Sequence, residues 1–251
     1  MPAPRINLLL RSGRFDPRKL GGLQCWLDAS IVALNGGAVE TWVDRSGNGI
    51  SPTQATAVKR PFLAANGIGG KPALQFDGVD DALEVGPVPL LSACPGGTIF
   101  IAHKNTGDSA NIARMVAVLT DSSAGTFRLG INQRSVNSVY DQAGGRRLNA
   151  DAGMVTAENP GYQTMPRIVR LAANWQAARF EKWVNGQLVS YIDPFQTPGL
   201  SDASASWLSI VGNAAANIRI SEILIYGRYL PASEAAAVER YLSRKYAIAL
   251  S

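Results

Sequence analysis

Beyond residues 1–14, short apolar or alternating segments recur, and they are bounded by clusters of Gly, Pro, Asn and Asp. Alternation predicts a strand with one buried face, because successive side chains of a strand point to opposite sides. Turn residues at such close spacing are typical of an all-β sandwich or barrel. The predicted strands are 23–29, 73–78, 82–85, 98–104, 114–120, 126–132, 135–141, 167–175, two within 179–193, 206–212 and 217–227.

The strongest hairpin signal is Asn185-Gly186, which lies between the two β segments of residues 179–193. A type I′ turn needs positive φ at both central positions, and Asn and Gly tolerate this conformation best. We therefore predict a two-residue hairpin at this point.

One segment, residues 231–248, predicts a long helix. Pro231 suits the first helical position, Glu234 favours the positive N-terminal end, and Arg244 and Lys245 favour the negative C-terminal end. Helical spacing predicts one apolar face that packs on the sheets. Its residues are Val238, Tyr241, Leu242 and Tyr246.

A chain of 251 residues is long enough to bury a large core without disulfides. Cys25 and Cys94 are too few for a disulfide scaffold or a zinc cluster, so we expect two reduced, buried thiols. No segment approaches the ~20 apolar residues of a membrane span, and "INLLL" is too short for a signal-peptide core. We expect a protein made in a cytoplasm, without membrane insertion.

Positive charge is concentrated at the N-terminus. Residues 1–20 carry a net charge of +4 out of +5 for the chain, while the remainder has 19 basic and 18 acidic residues. A nearly neutral body argues against specific nucleic-acid binding, which needs clustered Lys and Arg. We predict that residues 1–14 form a basic arm that docks on a partner; a solvated tail is the alternative.

Five segments resemble the laminin-G-like, concanavalin A-like jelly-roll domains of bacteriophage virion proteins and bacterial surface proteins. In chain order they are "FDPRKLGGLQCWLDAS", "WVDRSGNG", "GGKPALQFDGVDDALEV", "EKWVNGQLV" and "ISEILIYGRYLPASEAAAVERYLSRKYAI". The resemblance covers residues 15–249, and we assign residues 15–251 to this domain. It implies an all-β fold: a two-sheet antiparallel jelly-roll sandwich with one C-terminal helix. It also implies that the helix lies against one sheet edge.

The loop "WVDRSGNG" could be a turn or half of a calcium site. Asp44, Ser46, Asn48 and Gly49 match the first half of an EF-hand loop, but Ala55 stands where a bidentate Glu should complete the calcium coordination. Asp and Asn also bond to nearby backbone amides, so a turn is the favoured interpretation.

The sequence "FDGVDD" places Asp77, Asp80 and Asp81 together at a predicted strand end. Three neighbouring carboxylates attract a cation only if their oxygens converge. We predict a solvated turn and no cofactor, with calcium as the alternative at these residues and at Asp44 and Asn48.

Catalytic motifs are missing from the sequence. Retaining glycosidases of this fold class resemble one another by an E-x-D-x-x-E strand motif, and no such spacing occurs here. "GDSA" at 107–110 lacks a downstream His to activate the serine, and "GIGGKP" at 67–72 lacks the ending of a phosphate loop. These absences predict a protein that is not an enzyme.

Sugar binding is left open, because sugars stack on exposed aromatic rings and are oriented by polar side chains. Trp42 and Trp175 are the candidate platforms, since each lies beside a predicted turn. Arg146 and Arg147 lie in the polar loop 144–153, where exposed side chains could contact a ligand.

The combined prediction is a non-enzymatic bacteriophage virion protein, displayed on the capsid or tail and released by host lysis. Its partners would be other virion proteins, with self-association left open. One alternative is an adhesin that binds host surface glycans, and a weaker one is a divergent glycoside hydrolase with two converging carboxylates. The predicted docking residues of the arm are Arg5, Leu8, Leu9, Leu10, Arg11 and Arg14.

Overall fold

The structure is a computed structural model of the chain. It describes residues 15–107, 113–120, 125–133, 141–156, 164–212 and 216–251. The strands are β1 (Leu23–Asn35), β2 (Ala38–Asp44), β3 (Phe62–Ile68), β4 (Lys71–Asp77), β5 (Leu83–Val88), β6 (Gly96–Asn105), β7 (Ala113–Thr120), β8 (Phe127–Gln133), β9 (Asp141–Gly145), β10 (Met154–Val155), β11 (Arg167–Asn174), β12 (Arg179–Val184), β13 (Gln187–Ile192), β14 (Ser206–Ile210) and β15 (Asn217–Tyr226). The helix α1 spans Ala232–Tyr246, and two 3₁₀ turns span Pro17–Lys19 and Ala57–Lys59.

The described strands form two antiparallel sheets. The nine-stranded sheet has the order β1-β2-β3-β4-β15-β6-β11-β12-β13, and β1 also pairs with β15. The six-stranded sheet has the order β10-β9-β8-β7-β14-β5. Together with α1 they confirm the predicted all-β sandwich with a C-terminal helix.

The main core lies between the two sheets. It is formed by the alternate apolar side chains of strands on both sides, among them Leu74 of β4, Ile101 of β6 and Leu208 of β14, all of which are fully buried. Cys25 belongs to this core, and both cysteines are buried free thiols, as predicted.

A second apolar cluster lies on the other face of the nine-stranded sheet, under α1. Leu224 and Tyr226 of β15 meet Val238, Leu242 and Tyr246 of the helix there. The predicted helix face is therefore confirmed. The expectation that the helix lies against a sheet edge is wrong, because β15 and its neighbour β6 are interior strands of the sheet.

Several strands were not predicted from the sequence. They are β2, β3, β9 and β10. The strand β3 is only partly buried and contains Asn66-Gly67, so its residues resemble a turn. The predicted segment 135–141 and the arm of residues 1–14 lie outside the described residues, apart from Asp141. Among the helices described, none is long and apolar enough to span a membrane.

The predicted hairpin is confirmed, because Asn185 and Gly186 connect β12 to β13 with φ values of 50° and 85°. The turn is also anchored to the body of the protein: the Asn185 side chain accepts a hydrogen bond of 2.9 Å from the backbone N–H of Ile168.

We expect Gly186→Ala to lower the free energy of unfolding by about 1 kcal/mol, because positive φ is costly for a residue with a Cβ. An added Cβ would meet no atom closer than 3.8 Å, so conformation and not crowding sets the cost. Urea unfolding measures the change. Gly21→Ala is the control, since its Cβ would meet nothing within 4 Å; equal losses in both variants would contradict the turn assignment.

Candidate functional site

One candidate site is a groove of about 380 Å³ on the six-stranded sheet. We call it the arginine groove, and it is lined by Arg114, Phe127, Asn132, Arg146, Met154 and Val155 with neighbouring glycines. Asn132 follows Ile131, a residue of the main core, so alternation along β8 directs its side chain to the outer face of the sheet.

Neighbouring groups orient Arg114 within the arginine groove. One of its terminal nitrogens is 3.4 Å from the Ser209 hydroxyl, and its guanidinium carbon is 5.8 Å from the centroid of the Phe127 ring. Burial lowers the pKa of Arg114, and the negative charge of Glu84 opposes that shift. Arg146 is half-buried and donates a 3.3 Å hydrogen bond to the carbonyl of Asn149. Two arginines therefore line the groove: Arg114, which is largely buried near the Phe127 ring, and Arg146, which is half-buried.

A second and larger cleft, of about 520 Å³, lies between α1 and the outer face of the nine-stranded sheet. We call it the helix cleft. Its lining includes Phe15, Arg18, Trp26, Asp28, Arg45 and Lys71, together with Tyr241 and Lys245 from the helix.

The floor of the helix cleft is built around Glu222, a fully buried carboxylate of β15. Its oxygens accept hydrogen bonds from the Trp26 indole at 2.6 Å, the Tyr241 hydroxyl at 2.8 Å and the Tyr246 hydroxyl at 2.7 Å. Burial and the charge of Glu222 raise the pKa of both tyrosines, so they stay protonated donors. Three aromatic side chains therefore compensate one buried charge.

Asp28 lies directly opposite Glu222 in the β1–β15 pair, so two buried carboxylates face each other. The Lys245 ammonium bridges them, at 2.8 Å from Asp28 and 2.7 Å from Glu222. Arg45 adds a 2.5 Å ion pair to Asp28. Burial raises the pKa of Asp28, but hydrogen bonds from Lys245 and Ser30 outweigh this effect and the pKa lies below its ordinary value.

The "WVDRSGNG" loop is a turn, as favoured from the sequence. The Asp44 carboxylate accepts backbone hydrogen bonds from Ser46 at 2.8 Å and from Ile50 at 3.0 Å. The Asn48 amide donates a 2.9 Å bond to the carbonyl of Gln24, which ties the loop to β1. These side chains are therefore used to shape the loop.

The carboxylates of Asp77, Asp80 and Asp81 do converge, with one oxygen of each within 4.8 Å of the others. Asp77 and Asp80 are exposed, while Asp81 is buried and accepts a 2.9 Å bond from the Asp77 backbone N–H. Burial raises the pKa of Asp81 to about 6, and the charges of Asp77 and Asp80 contribute to the increase. Calcium at this turn stays a prediction.

The structure separates the predicted sugar-binding residues. Trp42 and Trp175 are fully buried in the main core, so the proposal that their rings are exposed platforms is corrected. A position beside a turn does not reveal on which side of the sheet a ring lies. Arg147 is also buried, and it donates a 2.9 Å bond to the carbonyl of Leu200. Of the four residues, Arg146 alone lines one of the two sites.

Sequence reasoning missed most residues of both sites. Arg114 lies near the start of a strand that is otherwise largely apolar. A single cation in such a segment is the one sequence signal that could have indicated a functional role for this residue. Trp26 and Asp28 are two residues apart in β1, so alternation places them on one face. No local signal indicated that Glu222 and Lys245 would join them, because β1 and β15 are distant in the chain.

The sequence matches no family model and no curated protein. Solved structures do match the fold. A Trypanosoma rangeli sialidase in complex with sialic acid aligns over 90% of this chain and 33% of its own, with a TM-score of 0.59 and 16% identity. The ligand-binding domain of botulinum neurotoxin serotype D, in complex with N-acetylneuraminic acid, aligns over 87% of this chain and 50% of its own, with a TM-score of 0.63 and 12% identity.

The chain thus spans about one third of the sialidases and half of the neurotoxin structure. At these identities the likeness shows the fold alone. It nevertheless corrects one prediction: the expectation that the chain is not an enzyme is wrong as drawn, because sialidases are enzymes that contain this fold. Missing motifs of one glycosidase class do not exclude catalysis on it.

Tyr246→Phe tests the network around Glu222. We expect the free energy of unfolding to fall by roughly 1.5–3 kcal/mol, because a buried carboxylate loses a hydrogen bond. The control is Tyr191→Phe, since that side chain is 58% exposed and should leave stability nearly unchanged. Chemical denaturation of both variants measures the difference, and similar small effects would contradict a stabilising role for the network.

Asp81→Asn tests the raised pKa of this carboxyl group. The folded protein holds the Asp81 proton more tightly than the unfolded chain does. This protonation stabilises the folded protein fully below the ordinary pKa of 3.8, and the stabilisation is lost as the pH rises through the folded-state pKa of about 6. We therefore expect the variant to gain stability over the native protein as the pH is raised from 4 to 7.5. The gain should be below about 3 kcal/mol, the free energy that the full difference between the two pKa values would give.

Urea unfolding of the native protein and the variant at both pH values measures this gain. Asp80→Asn is the comparison, because it removes only one of the charges that raise the Asp81 pKa, so its gain between the two pH values should be smaller than that of Asp81→Asn. A gain in Asp81→Asn that is independent of pH would contradict the raised pKa.

Proposed function

We propose that this protein binds acidic glycans through the arginine groove. The observation that carries the proposal is that Arg114, Arg146 and the half-exposed Phe127 ring line one groove of about 380 Å³, with no acidic residue among the described lining residues. This arrangement combines a flat apolar surface with two positive charges.

The chemistry of the arginine groove fits a sugar that carries a carboxylate. A guanidinium group presents N–H donors in a planar fork that matches a carboxylate, and such charged hydrogen bonds are shorter and stronger than neutral ones. An aromatic ring packs against the apolar face of a sugar, while Asn132 can both donate and accept hydrogen bonds to hydroxyl groups. Each group of the groove therefore has a counterpart on an acidic sugar.

Solved structures that share this fold support an acidic sugar as the class of ligand. The sialidase and the neurotoxin domain were solved with sialic acid and N-acetylneuraminic acid, which are acidic sugars. The fold alone does not carry a ligand from one protein to another. The residues of the arginine groove are the independent support for a similar ligand here.

The virion role stays a prediction. Its docking residues belong to residues 1–14, which lie outside the described part of the chain. The sialidase and neurotoxin structures give no support for a place in a phage particle. A glycan-binding sandwich on a virion surface would satisfy both predictions, and it would then recognise a host.

The test is an array of sialylated, uronic-acid and neutral glycans, probed with the full chain and with Arg146→Gln. We expect the full chain to bind acidic glycans, and we expect the variant to lose about tenfold or more in affinity. A hydrogen bond to a charged group contributes roughly 1.5–3 kcal/mol, and about 1.4 kcal/mol is tenfold.

Arg244→Gln is the matched control, because Arg244 is an exposed arginine of α1 that lines neither site. It removes the same charge from the protein but leaves the arginine groove intact, so it should keep the native affinity. Binding to neutral glycans alone, no glycan binding, or equal losses in the two variants would each overturn the proposal.

A further inference from the structure

The helix cleft plays no part in the proposed glycan site. It lies on the nine-stranded sheet, while the arginine groove lies on the six-stranded sheet. Its volume of about 520 Å³ is the larger of the two and suits a small molecule or one end of a larger ligand.

Two guanidinium groups lie against one ring in the helix cleft. The guanidinium carbons of Arg18 and Arg45 lie 5.8 Å and 4.1 Å from the centroid of the Trp26 ring. Lys71, at the start of β4, adds an exposed ammonium group to the lining. Like charges that line one cleft repel one another, and a bound anion would reduce that repulsion.

The carboxylates of the helix cleft already have partners. The Asp28 side chain is 4% exposed and accepts from Arg45, Lys245 and Ser30. Asp16 pairs with Arg18 at 2.8 Å, and the hydrogen bonds from Arg18 lower its pKa. A cation entering the cleft would have to displace these pairs.

The exposed charge of the cleft is positive on balance, because Arg18, Arg45 and Lys71 outnumber Asp16, whose side chain is 26% exposed. The Arg45 side chain is 35% exposed and that of Arg18 is 57% exposed. Among the described contacts Arg45 donates to Asp28 through Nη1, and Arg18 donates to Asp16 through Nε and Nη2. No described hydrogen bond uses Nε and Nη2 of Arg45 or Nη1 of Arg18. The cleft therefore has N–H donors for an anion. Ion pairs and packing on the Trp26 ring hold the two arginine side chains in place.

We infer that the helix cleft is a binding site for an oxyanion, that is, a carboxylate, phosphate or sulfate group of a ligand. Arg45 and Arg18 donate to it from beside Trp26, and Lys71 contributes charge from the start of β4. The Phe15 and Tyr241 rings, with centroids 5.3 Å apart, form an apolar wall for the part of the ligand that carries the anion.

The experiment is a titration of the full chain with inorganic phosphate, sulfate and glucuronate in separate series, at constant ionic strength. Nuclear magnetic resonance of the tryptophan indole N–H groups gives the readout. Trp26 is the one tryptophan that lines the cleft, and its N–H bonds to Glu222. We expect a saturable shift of the Trp26 signal, with Trp42, Trp175, Trp183 and Trp207 as internal controls.

Two variants test the assignment of donors. Arg45→Gln should weaken the response of Trp26 about tenfold or more, since it removes a charged donor. Lys71→Ala should weaken it less; this exposed side chain makes no described ion pair, so the fold tolerates its loss. Arg179→Gln is the matched control, because Arg179 is 34% exposed, is ion-paired and lies 4.8 Å from the Tyr191 ring.

A Trp26 signal that none of the three anions moves would overturn the inference. Equal responses in the native protein, Arg45→Gln and Lys71→Ala would also overturn it. A response to glucuronate alone assigns a carboxylate, while a response to phosphate or sulfate assigns a tetrahedral anion. Arg146→Gln should leave the Trp26 response unchanged, so this site and the arginine groove are tested independently.

Discussion

The position of the helix depends on how one buried carboxylate is compensated. Glu222 lies on β15, an interior strand whose two faces are both covered, and it faces Asp28 across the strand pair. Two carboxylates in such surroundings would cost several kcal/mol each without partners. Lys245 and Tyr246 of α1 supply those partners. The charges on the sheet therefore hold the helix at one place, and this fixes one wall of the helix cleft.

The two candidate sites share a chemistry but not a surface. Each places arginine beside an aromatic ring, Arg114 near Phe127 and Arg45 near Trp26, and they lie on different sheets. The body of the chain is nearly neutral, so total charge gave no sign of either site. The positive character of each site depends on which charged side chains the fold brings together, which composition does not show.

Part of the site could be predicted and part could not. Its place in a polar loop predicts a ligand contact for Arg146, and this residue does line the arginine groove. Arg147, its neighbour, satisfied the same criterion but is buried against Leu200. A place beside a turn predicts an exposed ring for Trp42, yet this residue belongs to the core between the sheets. The side chains of adjacent loop residues point in different directions, and tertiary packing decides which of them is exposed.

Local patterns by themselves determined the class of the protein. Alternation and turn residues specified an all-β sandwich, Asn185-Gly186 specified a hairpin, and helical spacing specified the buried face of α1. These features follow from backbone conformation, which a few neighbouring residues control. The tertiary structure alone decided that α1 covers a sheet face, that Glu222 lies opposite Asp28, and that Arg114 and Arg146 line one groove. Such contacts join residues far apart in the chain, and they depend on strand order and register, which short-range patterns do not encode.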